Sequence, residues 1–96
     1  MAKAKRVSIP EFLRRLKKKA RTVKFYLKGN AIRSDYYCPL AAVFGTWIDV
    51  RESGVMSKKT WARIIDSADN RTLFGTGPDP KLRKQLLKAV GLSEAV

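Results

Sequence analysis

Histidine is absent from all 96 residues, and cysteine occurs once, as Cys38. Without histidine the chain lacks the side chain that most often acts as a general base near neutral pH. With one thiol and no imidazole, a structural zinc site has almost nothing to draw on. A lone cysteine excludes an internal disulfide and fits a reducing, cytoplasmic setting. Long apolar runs are missing too, and none approaches the roughly 20 residues of a membrane span. The opening MAKAKRVSIPEF carries basic residues but no apolar segment before a small-residue cleavage site, so it does not read as a secretory signal.

Acid is also scarce, and unevenly so. Asp and Glu number 8 against 21 Lys and Arg. From Met1 to Arg33 there are 12 basic residues and one acid, Glu11, so +11 of the formal +13 lies in the first third. Residues 34–80 sum to −1 and residues 81–96 to +3. A surplus of one sign confined to one region points to a polyanionic or acidic partner.

With 45% apolar residues in recurring periods, the chain reads as folded, with one modest core. Residues 1–7 read as a basic flexible tail and 8–96 as a single small helical domain. Ser8-Ile9-Pro10-Glu11 is a capping box, in which Ser8 accepts from the amide of residue 11 and Glu11 reaches back to the Ser8 amide. Val7 and Phe12 stand at the positions of a hydrophobic staple. Ile9, Phe12, Leu13, Leu16 and Ala20 then follow helical spacing. Arg14, Arg15, Lys17, Lys18, Lys19 and Arg21 fill the rest of the circumference.

Two readings compete for residues 22–33. The helix can run on through Val23 and Leu27 to stop at Gly29. Alternatively, Thr22 to Leu27, rich in β-branched and aromatic residues, pairs through the turn Lys28-Gly29-Asn30 with Ala31-Ile32-Arg33. The hairpin is preferred. Beyond it, Pro39 to Ser53 reads as a helix with Leu40, Val43, Phe44, Trp47 and Val50 inward, shortened or bent at Gly45. Ser57 caps a helix to Asp69 with Trp61, Ile64, Ile65 and Ala68 inward. Residues 70–78 form a loop, and Asp79-Pro80 opens a last helix that Gly91 closes, with Leu92 folding back on Leu87. The expected fold is mainly α, a compact bundle of about four helices with a short two-stranded β-hairpin after the first.

A solvated charged face is the plain explanation of the first helix. Against it, Arg14, Lys17, Lys18 and Arg21 repel one another across single turns, at a few tenths of a kcal/mol per pair. A phosphate backbone would neutralise them. Lys58 and Lys59 lie in the first turn of a helix, where the dipole disfavours cations and a bound phosphate would explain them. Pro39–Ser53, the turn Gly54-Val55-Met56 and Ser57–Asp69 together resemble a helix-turn-helix, with Lys58, Lys59, Ala62 and Arg63 on its outer face and Asp66 beside them. Ordinary helix packing accounts for the same pattern. Cys38 stands at a helix N-terminus, which can lower a thiol pKa, but no histidine is present to pair with it. Asp66, Asp69 and Asn70 match no metal loop and read as caps or partners for Arg63 or Arg71. Gly75-Thr76-Gly77 can present amides to an anion, yet lacks the Gly-Lys-Ser/Thr of a phosphate loop. Tyr26, Tyr36 and Tyr37 beside basic residues are candidates for stacking on single-stranded bases.

Ile32-Arg33, Cys38-Pro39-Leu40-Ala41-Ala42-Val43, Ile64-Ile65-Asp66-Ser67-Ala68-Asp69-Asn70, Leu82-Arg83 and Leu86-Leu87-Lys88-Ala89-Val90-Gly91-Leu92 carry a resemblance to a family of short bacterial and prophage-type proteins without an assigned activity. It spans about the last two thirds of the chain; the Phe44–Trp61 interval is shorter than the family's spacing, and the basic N-terminus is not a family feature. The resemblance implies a shared small fold, with a hairpin ahead of Cys38, and a phage or mobile-element setting.

The function expected is non-enzymatic binding of DNA or RNA through Arg14, Arg15, Lys17, Lys18, Arg21, Lys24 and Lys28, with Lys58, Lys59 and Arg63 as a secondary site. The alternative is a phage-type inhibitor or adaptor that docks its basic surface on an acidic patch of a host nuclease, polymerase or other complex. No catalytic residue, metal, cofactor or membrane partner is expected.

Overall fold

The computed structural model describes residues 6–45 and 47–94, except the side chains of Trp47, Ile48 and Asp49. Most of the expected tail, residues 1–5, and the expected core side chain of Trp47 therefore lie outside the described residues. The first helix, α1, spans Ile9–Lys19. Ser8 Oγ accepts from the Glu11 amide at 3.3 Å, occupying one of the donors a helix leaves open at its start. Val7 packs against the core, and its amide donates to the Val55 carbonyl at 2.8 Å. Residue 7 thus belongs to the domain, not to a tail. The Glu11 carboxylate turns to Arg14 and Arg15 instead of back to Ser8, because bonds between charged groups are stronger than one to a neutral amide.

The hairpin forms, shorter than the alternation suggested. Strand β1 is Tyr26–Lys28 and β2 is Ala31–Arg33, antiparallel, with Leu27 opposite Ile32 and Tyr26 opposite Arg33. Gly29 takes φ 62° as the first of two turn residues, the position where a type II′ turn requires positive φ. Phe25 and Ile32 are buried, so the hairpin leans on the helices, as a lone two-stranded ribbon must.

The stretch 39–53 is where expectation and structure part. Helix α2 spans only Pro39–Phe44 and α3 spans Trp47–Ser53. Between them Gly45 adopts φ 108°, ψ −99°, a backbone state that a residue with a Cβ reaches only under strain. Among the described residues the domain therefore has five helices rather than four. α4 covers Lys58–Asp69 and α5 covers Pro80–Ala89. Ser57 Oγ accepts from the Thr60 amide at 3.2 Å, and Asp79 Oδ1 accepts from Lys81 and Leu82 at 3.0 and 3.2 Å. At the far end of α5, the Leu92 amide returns to the Leu87 carbonyl at 2.9 Å with Gly91 at φ 76°, the Schellman ending.

α4 is the central element. It packs on α2, α3, α5 and β2, while α1 closes against α2 and α5. From Trp61 to Asp69 every residue of α4 except Arg63 is buried. Ala62 and Asp66, expected on an outer face, are both inside; a helix with neighbours on four sides has no outer face over that length. Phe12, Leu16, Ile32, Leu40, Ile64, Leu82 and Leu86 fill the core, where truncating one such side chain to alanine costs about 2–5 kcal/mol. The radius of gyration is 12.7 Å, close to the ~13 Å of one packed domain of about 100 residues. Among the described residues no helix is long and apolar enough to cross a membrane.

Candidate nucleic-acid interface

The core stripe of α1 fixes where its charges go. With Phe12 and Leu16 turned inward, residues 14, 15, 18 and 19 fall on the flank toward α2, and 13 and 17 on the flank toward α5. On the α2 side, Arg14, Arg15, Lys18, Lys19 and Arg21 line a groove of about 570 Å³ together with Thr22 and Val43. All five cations are exposed. Four of them, Arg14, Arg15, Lys18 and Arg21, are among the expected contacts. Lys19 joins them because the helix ends at that residue and its side chain escapes the core.

The groove is not uniformly unmatched. Glu11 accepts from Arg14 at 2.9 and 2.6 Å and from Arg15 at 2.7 Å. Those two guanidinium groups hold its carboxyl down at about 2. Two cations thus share one carboxylate, and Arg15 also stands 5.9 Å over the Phe44 ring. Lys18, Lys19 and Arg21 make no ion pair among the described residues. Lys17, Lys18 and Lys19 fall in the last turn of α1, where cations complement the helix dipole by about 0.3–1 kcal/mol each, so part of their placement is explained locally.

The other expected contacts do not gather there. Lys17 lies on the opposite flank of α1. Lys24 is exposed in the connector to β1. Lys28 borders a second hollow, of about 460 Å³, with Asn30, Arg33, Asp69, Asn70 and Arg71. Lys58 and Lys59 are exposed at the start of α4, but Arg63 is engaged: its Nη2 donates to Asp79 Oδ2 at 2.7 Å. That bond, with the Leu82 and Lys81 amides, keeps the Asp79 carboxyl below its ordinary range. Arg63 therefore ties α4 to the start of α5. Among the described residues, α4 exposes little beyond Lys58 and Lys59, with only Arg63 outside the core from Trp61 to Asp69, whereas a helix that enters a major groove needs a free face.

Asp66, Asp69, Asp79 and Glu94 are structural. Asp66 is fully buried. Its Oδ1 accepts from the Leu73 and Phe74 amides, each at 3.0 Å. Its Oδ2 accepts from the Thr76 amide at 3.1 Å and from the Thr76 hydroxyl and Gly77 amide at 3.0 Å. Burial pushes this carboxyl up, but those donors outweigh it and leave it below its usual value. Gly75-Thr76-Gly77 could present amides to an anion; the anion that the Thr76 and Gly77 amides hold is the protein's own. Asp69 pairs with Arg33 at 2.5 Å, not with Arg63 or Arg71. Arg83, 4% exposed, donates from Nη1 to the Ser67 and Ala68 carbonyls at 3.0 and 2.9 Å and from Nε to Glu94. It thereby satisfies carbonyls at the end of α4 that no helical amide reaches. Cys38 opens α2, yet burial pushes its thiol up by more than the Ala41 and Leu40 amides bring it down, so it lacks the activation of a catalytic cysteine.

Comparison with models of known protein families, with curated proteins and with solved structures gave no significant match.

Proposed function

We propose that this protein is a non-enzymatic nucleic-acid-binding protein that grips the phosphate backbone along the α1–α2 groove. The supporting observation is the gathering of Arg14, Arg15, Lys18, Lys19 and Arg21 around one groove, three of them without an acid partner among the described residues. A polyanion that enters releases its counterions and relieves the repulsion between these cations. Arg14 and Arg15 share donors with Glu11, so a phosphate competes with that carboxylate for them. Lys28, Lys24, Lys58 and Lys59 extend the field beyond the groove and contribute steering more than grip. A cytoplasmic, phage-type setting belongs to the same proposal.

Titrating a fluorescent oligonucleotide with the protein and with the triple variant Lys18→Gln, Lys19→Gln, Arg21→Gln tests it. The variant is expected to keep its fold and to lose roughly 2–3 units of the salt slope, at 0.7–0.9 per phosphate contact. Lys17→Gln, on the other flank, leaves the slope nearly where it was. An unchanged slope in the triple variant removes the groove from the account. Partners captured from a host lysate that survive nuclease treatment would instead favour an acidic protein patch.

A further inference from the structure

We infer that the hollow between the Ser34–Tyr37 turn and α4 seats an unpaired base of a single-stranded nucleic acid. The inference rests on the backbone-binding reading above and adds the class of strand. The hollow measures about 470 Å³ and is walled by Tyr36, Tyr37, Cys38, Ile65, Leu73 and Phe74, a size and apolar character typical of small-molecule sites. At one side stands the Arg33–Asp69 ion pair. Past that pair lies the second hollow, with Lys28 and Arg71. A flat apolar seat, a donor and an acceptor on its edge, and cations one step away match a base, its polar edge and its phosphate in turn.

Two of the chain's three tyrosines, Tyr36 and Tyr37, line this hollow, and the third, Tyr26, pairs across the hairpin with Arg33 on its edge. They are 57%, 77% and 41% exposed, so core packing does not explain them. Tyr37 is held at φ 77°, a left-handed state that costs a bulky residue about 1–3 kcal/mol. The turn that holds it is locked in both directions: Ser34 N donates to Tyr37 O at 2.8 Å and Tyr37 N to Ser34 O at 2.9 Å, while Ser34 Oγ accepts from the Tyr36 amide at 3.1 Å. A glycine or asparagine would sit there more easily. The Tyr37 ring, 77% exposed, buries little surface in return for that strain, and a base stacked on it would use the ring's free face.

The test compares the full chain's affinity for a short oligothymidylate with that for an abasic strand of the same length and phosphate count. The base-bearing strand is expected to bind about 5- to 100-fold more tightly. Tyr36→Ala and Tyr37→Gly should abolish that ratio while leaving the abasic affinity and its salt slope intact. Tyr37→Gly should do so without lowering the melting temperature, since it relieves the left-handed backbone; a purely structural tyrosine would show the reverse. Equal affinity for the two strands, or a ratio that survives both substitutions, overturns the inference while the backbone reading stands. A base-dependent ratio that the substitutions abolish, with a flat salt slope, overturns the backbone reading instead, and no binding to either strand overturns both.

Discussion

The flank of α1 and the corner where α4 meets α5 treat charge in opposite ways. In the corner, acids and bases are matched one against another and against the backbone. Asp66 holds the loop 73–77, Asp69 holds Arg33, Asp79 holds Arg63, and Glu94 holds Arg83. On the flank, a single carboxylate serves two arginines, and the lysines beyond it project into solvent. Asp66, Asp69, Asp79 and Glu94 are engaged in architecture, whereas the cations of the α1 flank are left where a partner can reach them. A small protein that needed charge only for solubility would have little reason to gather its unmatched cations on one flank.

The comparison can be broken most forcefully at Asp66. Asp66→Asn keeps the shape but replaces one acceptor oxygen with a donor, so two or three of the loop donors lose their partner. At about 1–3 kcal/mol per orphaned buried group, partly relieved by relaxation, the expected loss is roughly 2–4 kcal/mol in a urea titration. Amide exchange should quicken first across residues 73–77. A variant as stable as the parent would show that the loop is held by something else.

Acid should separate the two regions next. Asp66, Asp79 and Glu94 all have folded-state values below their ordinary ones, and Glu11 lies at about 2. The stability these groups contribute is present above the unfolded pKa values of about 4 and is lost as pH falls through the lower folded values. Unfolding free energy should therefore decline from about pH 4.5 downward. Between about pH 5 and 7 oligonucleotide binding should be flat, because the chain has no histidine to change charge there. A binding transition in that range would place a titrating group in the interface that the groove does not contain.

The groove variants come third in their effect on the fold. Lys18, Lys19 and Arg21 are exposed, so their triple replacement by Gln should shift stability by no more than about 0.5 kcal/mol per site. Calorimetry checks this, and a larger loss would mean that these side chains are structural after all. The smallest effect belongs to Glu11→Gln. It releases Arg14 and Arg15, should barely alter the melting temperature, and should steepen the salt slope of binding by up to about one unit. A shallower slope would show that the glutamate presents the arginines rather than competing for them.

Much of this was legible in the sequence where the determining interactions are short-range. Ser8, Ser57 and Asp79 cap helices two or three residues away, and Gly29-Asn30 closes a two-residue hairpin, so their effects appear in local spacing. Gly45 was visible as a weak point, but whether a glycine bends a helix or ends it depends on what packs around it. Asp66 was misplaced for a different reason. Its partners lie seven to eleven residues ahead in a loop with no periodicity, and a carboxylate at that spacing reads as surface. Ala62 followed the same error, since an expected outer face presumed fewer neighbours than α4 has. Of the candidate cations, Arg14, Arg15, Lys18 and Arg21 line one groove, whereas Lys17 is separated by the rotation of the core stripe and Arg63 is claimed by Asp79. The Arg33–Asp69 pair and the tyrosine-lined hollow join the hairpin, the turn and α4, a tertiary meeting that no local pattern announces.

The central claim concerns what covers the cations of α1, and the salt dependence of oligonucleotide affinity addresses it most directly. Three to five phosphate contacts in the groove predict a slope of log K against log salt of about −2 to −4, with tight binding at low ionic strength. A slope near zero, or no binding to a polyanion at low salt, would contradict it.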